Sequence, residues 1–591
     1  MELTVSRTGD IIIARVQQTQ PRKPLAEKFA LSTERLGPLP LVNHFISRLG
    51  LIKLLDQYVP TTDRRCAVPH ATALGVLLRS IVVEREPIYR QVETVHGFAP
   101  AMYGLGEQDL EHLGDDRLGR ALDRLYDADR SALLTAVVLA VGKCFGVKFE
   151  ELHNDSTSIR FCGQYRVQPE TVRGQRPARI VFGYSKDHRP DLKQLLFILT
   201  TAEDGGVPVQ FRIADGNTND SITHIETWNT LKSVAGRPDF LYVADSKLCS
   251  HENLDTIARA GGRFVTVLPR SRQEDRQFRK RLQTTTLPWE LVWDRPDPRG
   301  RGGPRDQWYL YRDPIGSMEA WPIVWVWSKL LTAHQRASRQ RRIGAAVEAI
   351  GSLRDRIVSP RARIRGASRI DLEVEKILEH FHVRRYVKAS RTVRAEHDFK
   401  QTRRGRPGPD TAYRRITHRR YDLEWTIDAA AVAYDEKSDG VYPLITNDRT
   451  LTPLQVLEAH KGQPRLEKRF EQLKTVHEIA PVFLKNPARI EAFFTVYFLA
   501  LLIQALIERE LRQTMKRERL KALPLYPEER RCAHPTTEQV LRLFSHAERH
   551  VLIRSGRTVD VFETDFTPLQ RHVLELLGVP DTAFCPGDSR G

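Results

Sequence analysis

The chain reads as an α/β protein. A mixed sheet core follows an all-helical segment, is interrupted by a basic insertion containing strands, and is closed by C-terminal helices. Three observations lead there. Apolar residues recur at three- and four-residue spacing up to about residue 145, then give way to short apolar runs bounded by turn residues. Those runs first form a meander and then alternate with helical stretches, the order of a mixed sheet. Between 271 and 450, arginine clusters separate strand-like pieces.

Taken in order, residues 1–24 alternate weakly and end in "QQTQPRKP", a leader of strand or flexible character. Residues 25–145 form the helical segment, with "LPLVNHFISRLGLIKLLDQYV", "ATALGVLLRSIVV" and a stretch running to "VGKCFG". Such helices serve either to read DNA through a helix-turn-helix element or as scaffold. Residues 146–270 carry the strands "FEELHNDSTSIRF", "LKQLLFILTTAE", "VPVQFRIADGN", "FLYVAD" and "GGRFVTVLPRS", with helices at "SITHIETWNTLKSVA" and "SHENLDTIARAG". The insertion, 271–450, has strand-like "QWYLYRD", "PIVWVWS", "LEWTIDAAAVAYD" and "GVYPLITN", and a helical arm near 334–382. Asp439-Gly440 signals a hairpin turn, and the Gly/Pro/Arg stretches at 295–306 and 403–409 read as loops. Helix returns over 451–515, and 516–591 reads as a helical C-terminal region.

A chain of 591 residues exceeds one hydrophobic core and divides into several domains. Its apolar fraction of 41% and charged fraction of 28% are those of a soluble protein, and the net charge is +18. Arginine, which grips phosphate bidentately, supplies most of the excess and points to nucleic acid rather than a membrane surface. Six scattered cysteines with no C-x-x-C pair fit a reducing cytoplasm and argue against structural zinc. The N-terminus is too polar for a signal peptide. The longest apolar stretch, "AFFTVYFLALLI", is short for a span and reads as a buried helix.

The candidate chemistry rests on three carboxylates. Asp155 and Asp245 each end a strand-like apolar stretch, and Glu467 lies on a predicted helix, "PRLEKRFEQLK". Carboxylates at strand ends project at the sheet edge, where open α/β sheets place their sites. Oxygen ligands suit a hard divalent ion, and in so basic a chain its substrate is a nucleic-acid phosphodiester. A single aspartate at a strand end is also an ordinary cap or turn residue; the set carries the reading. Lys474, two helical turns beyond Glu467, lies near the same face, and Glu471 is the rival third carboxylate. By spacing alone, that helix reads as an amphipathic helix with an ordinary Glu/Lys surface.

These residues resemble the DDE transposases of bacterial insertion sequences, the branch with a Tyr-x₂-Arg-x₃-Glu-x₆-Lys signature in its third motif. The resemblance covers most of 30–510. It rests on "HNDST", "GYSKDHRPDLKQL", "VADSKL", "DGVYPLITN", "LEKRFEQLK" and the apolar helix after them. Glu467 and Lys474 match the signature; His460 and Gln463 occupy its Tyr and Arg positions, and Arg465 is the candidate to replace the phosphate contacts made there. The resemblance implies a ribonuclease H-like core with Asp155, Asp245 and Glu467 holding two Mg²⁺ ions, for which Mn²⁺ can substitute. It implies a homodimer that binds the element's terminal inverted repeats and target DNA, nicks to free a 3′-OH, and transfers strands. Lys474, Arg465, Arg403, Arg404 and Arg406 are the expected DNA contacts, and the expected location is the nucleoid of a bacterial cytoplasm. The alternatives are a ribonuclease H-like nuclease or resolvase without transposition, and a non-catalytic DNA-binding derivative of a transposase.

Overall fold

The computed structural model describes residues 29–163, 165, 170–186, 189–296, 305–359, 364, 366–476, 484–554 and 557–585. The expected leader at 1–24 and most of the expected loop at 295–306 lie outside them. The chain divides into two compact units, Met1–Arg130 with Thr495–Gly591, and Ser131–Phe494.

In the first unit, helices Leu39–Leu49, Leu51–Tyr58, His70–Val83 and Asp115–Asp127 bear out the helical periodicity. They bury their apolar stripes, among them Leu41, Phe45, Leu74, Leu78, Leu118 and Leu122. The unit is nevertheless not all-helical. Strand β1 (Phe29–Arg35) pairs antiparallel with Glu548–Arg554, which pairs with Arg557–Phe562. The C-terminal region is therefore helix and strand, and it completes the unit begun by the N-terminal helices. Its strands escaped the sequence reading because they are largely exposed, so no apolar alternation marks them.

The second unit is built on one nine-stranded mixed sheet. Strands β2 (Glu151–Phe161), β3 (Lys193–Ala202) and β4 (Pro208–Asp215) form an antiparallel meander. Strand β5 (Leu241–Ala244) lies parallel to β2 on its other side, and β6 (Arg263–Val267) lies parallel to β5. Helices His224–Ala235 and His251–Arg259 make the crossovers. The strands β7 (Glu290–Arg295), β8 (Asp306–Asp313) and β9 (Ile323–Ser328) belong to the segment expected as an insertion, yet they extend this same sheet.

Only the middle of that segment leaves the sheet. It comprises helices Lys329–Val358 and Ala367–His380, a hairpin of β10 (Val387–Gln401) and β11 (Tyr413–Ile427), and a short helix, Ala429–Glu436. It has its own core, in which Ile343, Ile350, Ile370, Val387 and Leu423 are buried together. "LEWTIDAAAVAYD" thus divides between strand and helix: Asp428 caps the Ala431 amide and starts a helix that the apolar run disguised. Strand β12 (Val441–Thr446) then returns between β6 and β9, giving the order β4-β3-β2-β5-β6-β12-β9-β8-β7. A hydrophobic core lies beside this junction, with Val265, Leu310, Val324, Leu444 and Leu457, and Phe278 stacks on Trp325 at 3.5 Å between ring centres.

The return is fixed by polar groups. Arg339 and Asp439, both buried, form a two-pronged ion pair, with Nη1 donating to Oδ1 at 3.1 Å. Asp439-Gly440 turns the chain from a helix into β12 rather than between two hairpin strands. Gly440 has φ of +76°, and a Cβ there would overlap the Thr332 hydroxyl and the Ser328 carbonyl. Among the described residues one helix, Pro487–Arg517, is apolar and long enough to cross a membrane, and 89% of its most apolar window is buried, as in a core helix.

Two glycines should respond oppositely to alanine. Gly440→Ala should lower unfolding free energy by about 2 kcal/mol or more, through strain and overlap. Gly344→Ala, in the long helix with nothing within 4 Å of the new methyl, should raise it by about 0.5–1 kcal/mol. Denaturant midpoints of the two variants check this pair.

Candidate active site

The pairing of β2 with β5 decides what comes together. In this parallel register Asn154 faces Ala244, so the next residues, Asp155 and Asp245, fall side by side on adjacent strands. Asp155 lies within β2 and is 27% exposed; Asp245 is half-buried just past the end of β5. Each is anchored by backbone. The Ser156 amide donates to Asp155 Oδ1 at 2.7 Å, and the Lys247 amide to Asp245 Oδ1 at 3.0 Å. The Asp245 carbonyl accepts from Thr266 Oγ1 of β6 at 2.6 Å, which ties the turn to the next strand.

Two further residues complete the cluster. Lys186 Nζ donates to the Ser156 carbonyl and hydroxyl at 2.7 and 2.6 Å, and it lies 3.5 Å from Asp155 Oδ1 and 3.0 Å from Asp220 Oδ2. Asp220 begins the short turn before helix His224–Ala235. Lys186 reaches the strand because its segment runs close over the sheet: Val181 bridges to Gln194, and Gly183 passes so near Gly216 that a Cβ on either would strike backbone. Lys186 sits in "GYSKDHRPDLKQL", a run singled out in the sequence without a role. Asp220 had no signal, being an aspartate in a polar turn.

The electrostatics are those of an under-neutralised site. Burial raises the Asp155 pKa to about 6; Lys186 and the Ser156 amide pull it down, and Asp245 and Asp220 push it up. Burial likewise raises Asp245 against the Lys247 amide and Lys186. Burial works against the Lys186 ammonium too, but Asp155 and Asp220 outweigh it and hold its pKa above the ordinary value. One ammonium among three carboxylates leaves net negative charge, with exposed Lys247 bearing on Asp245. Such a donor set fits an added cation with oxygen preference. Behind it His224 and Tyr242 are buried and joined at 3.1 Å; burial lowers the His224 pKa to about 4, so the imidazole is neutral there.

The helix Gln463–Glu471 carries Glu467. Pro464 starts it, and Leu466, Arg469 and Phe470 form its buried face. It docks on the strand of Asp155: Gln463 Nε2 donates to the Asn154 carbonyl at 3.5 Å, and Gln463 Oε1 meets His153 Nδ1 at 3.3 Å. Arg469 donates to the Gly206 and Gly205 carbonyls at 2.9 and 3.0 Å. Glu467 is exposed one turn beyond Gln463, hence on its side of the helix, and bears electrostatically on Lys461. Among the described residues no group of three or more His, Cys, Asp or Glu is arranged to hold a metal ion. The structure thus joins Asp155 to Asp245, with Asp220 at hand, and leaves Glu467 outside that cluster.

The neighbouring signature positions have other work. His460 is largely buried near Tyr442, and burial lowers its pKa to about 4. Gln463 fastens the helix to β2. Arg465 pairs with Glu203 and donates to its carbonyl at 2.8 Å. Glu471 ends the α-helix, and Lys474 lies on the π-helical turn Gln472–Val476 that follows, so its direction is not the one two regular turns from Glu467 would give. Arg403, Arg404 and Arg406 are exposed in the loop joining β10 to β11.

The raised Asp155 pKa has a signed consequence. Unfolded, the carboxyl titrates near 3.8; folded, near 6. The folded state therefore holds the proton longer, and metal-free stability falls as pH rises from about 4 to about 6. Asp155→Asn should abolish this fall and be more stable than the parent at pH 7 by on the order of 2 kcal/mol in chelator, with the gain lost at pH 4. Thermal melts at the two pH values measure it; a variant less stable at pH 7 would contradict the electrostatics.

Comparisons with known proteins add little. Residues 31–139 match the family model of a domain of unknown function, DUF4277. No curated protein matches the chain. A cryo-electron microscopy structure of the piggyBac transposase synaptic complex with hairpin DNA aligns with 49% of this chain at 11% identity and a TM-score of 0.23. The chain spans about 59% of that structure's length, and a score of that size establishes no shared fold.

Proposed function

We propose that this chain is a DNA transposase of the DDE type, which cuts DNA strands at the terminal inverted repeats of its element and joins them to target DNA. The observation that carries the reading is the pair Asp155 and Asp245, set side by side by parallel pairing in an under-neutralised cluster. The strand order supports it as well. An antiparallel meander β2-β3-β4 flanked on the β2 side by parallel β5 and β6 is in keeping with the ribonuclease H-like core that the sequence resemblance implies.

In this reading Asp155 and Asp245 hold the metal, and Glu467, on a helix already fastened beside Asp155, closes the site. A divalent ion held by these residues, Mg²⁺ or Mn²⁺, would supply activation of the attacking oxygen and charge neutralisation at the leaving 3′ oxygen. The chain's own part is to fix both carboxylates through backbone donors. Burial keeps them short of counter-charge until a cation arrives. Lys186 bridges Asp155 and Asp220 and ties them to Ser156 of the strand. Arg465 and Lys474 flank Glu467 along the third-motif segment and would contact DNA phosphates, Arg465 on release from Glu203. The protein would work as a homodimer bridging two element ends, within the bacterial nucleoid.

The experiment is strand cleavage and transfer on a labelled inverted-repeat duplex with Mg²⁺. Asp245→Asn should lose cleavage by at least about 100-fold while binding DNA as the parent does, because it keeps the side-chain size and removes the charge that holds the ion. Glu467→Gln should be equally inactive and Glu471→Gln substantially active, whereas Lys474→Ala should bind the cut end more weakly yet retain chemistry. If Glu471→Gln is the inactive variant, the third carboxylate is one turn further along. Parallel loss of DNA binding in Asp245→Asn would make Asp245 structural.

A further inference from the structure

The hairpin of β10 and β11 is out of proportion to the core that supports it. Its base is packed: Val387, Ala389, Leu423 and Trp425 lie on one face against the helices Lys329–Val358 and Ala367–His380. Beyond the pair Val393–Tyr421 eight more residue pairs continue to Gln401–Tyr413, about 27 Å of ribbon, with residues exposed on both faces. An isolated two-stranded ribbon gains little stability by itself. Phe399 is 64% exposed and Tyr413 51%.

The two faces of this extension differ. Alternation puts both carboxylates of the extension, Glu396 and Asp398, on one side with Arg394, Lys400, Arg414 and Arg420, where Arg420 pairs with Glu396 at 2.7 Å and His418 with Asp398 at 3.2 Å. The other side carries His397, Phe399, Tyr413, Arg415, Thr417 and Arg419 and has no carboxylate. Among the described residues neither Arg415 nor Arg419 belongs to an ion pair. That face is the outward continuation of the apolar base and ends at the loop bearing Arg403, Arg404 and Arg406.

We infer that the β10–β11 ribbon is a DNA-reading arm that lies in the major groove with its carboxylate-free face, Arg415 and Arg419 foremost, towards the duplex. A two-stranded ribbon fits a groove about 12 Å wide, and arginines reach both phosphates and guanine edges. The arm rests on the transposase reading for the identity of its partner as duplex DNA, but not on the metal site. Along the extension Arg394, Lys400, Arg414, Arg415, Arg419 and Arg420 outnumber Glu396 and Asp398, which suits a polyanion, and both carboxylates stand on the face turned away from it. The lone apolar groups, Phe399 and Tyr413, then meet base edges and sugars.

The test is fluorescence anisotropy of a labelled inverted-repeat duplex with the full-length protein over a series of salt concentrations. The double variant Arg415→Ala, Arg419→Ala should flatten the slope of log K against log salt by about two, each lost phosphate contact removing about 0.9. The opposite-face variant Glu396→Ala, Arg420→Ala should leave the slope within about half of one. Guanine N7 methylation of the duplex should weaken parent binding several-fold and the Arg415, Arg419 variant less. Equal losses on both faces, or an unchanged slope for the first variant, overturn the arm while leaving cleavage and the transposase reading standing. A parent protein that holds no duplex overturns both.

Discussion

Everything at the candidate site depends on the parallel pairing of β2 with β5. A one-residue slip would turn Asp155 to the opposite face of the sheet and leave Asp245 beside Asn154 or Ser156 instead. Two carboxylates on adjacent strands stand about 5 Å apart at the backbone, and like charges at that distance cost about 3 kcal/mol at an effective dielectric of 20. A protein without a use for such a pair would not keep it half-buried. The surrounding structure offsets the cost with two backbone amides and one ammonium, and the Asp155 carboxyl still holds its proton to about pH 6. The remaining imbalance is the physical content of the metal proposal.

The same dependence orders the rest of the unit. The meander β2-β3-β4 supports Asp155 from one side; the β3–β4 turn supplies the carbonyls that receive Arg469, and so seats the helix of Glu467 on the strand of Asp155. On the other side β12 joins the core strands to β7, β8 and β9, so the segment between the second aspartate and Glu467 stiffens the sheet before it departs into the arm. The Arg339–Asp439 pair and Gly440 fix where that excursion ends. Site and arm are thus carried by one framework, although each has its own core.

Much of this was legible in the sequence, and what was not had physical causes. The strand of Asp245 announced itself as an apolar run because parallel strands are buried on both faces, while that of Asp155 is buried along most of its length although mostly polar. The ribbon did not, because Arg414, Arg415, Arg419 and Arg420 replace the alternation of a half-buried strand and leave nothing for a period of two to detect. Strand β1 and its C-terminal partners failed for the same reason, and their pairing spans almost the whole chain. Asp220 and Lys186 come to the site by tertiary packing, which no local pattern encodes. The regular helix expected from Glu467 to Lys474 is interrupted at Gln472, where a π-turn redirects the lysine. Sequence spacing measures distance along an ideal helix and cannot register such a bulge.

The central claim is that Asp155 and Asp245 hold a divalent ion whose third carboxylate is Glu467 rather than the Asp220 that already shares Lys186 with Asp155. The most direct measurement is localised backbone cleavage by Fe²⁺ substituted for Mg²⁺, with ascorbate and peroxide, on the DNA-bound protein. The account predicts cuts near residues 155, 245 and 467, suppressed by excess Mg²⁺. Cuts near 155, 220 and 245 with none near 467 would contradict it, and so would cleavage that excess Mg²⁺ does not suppress.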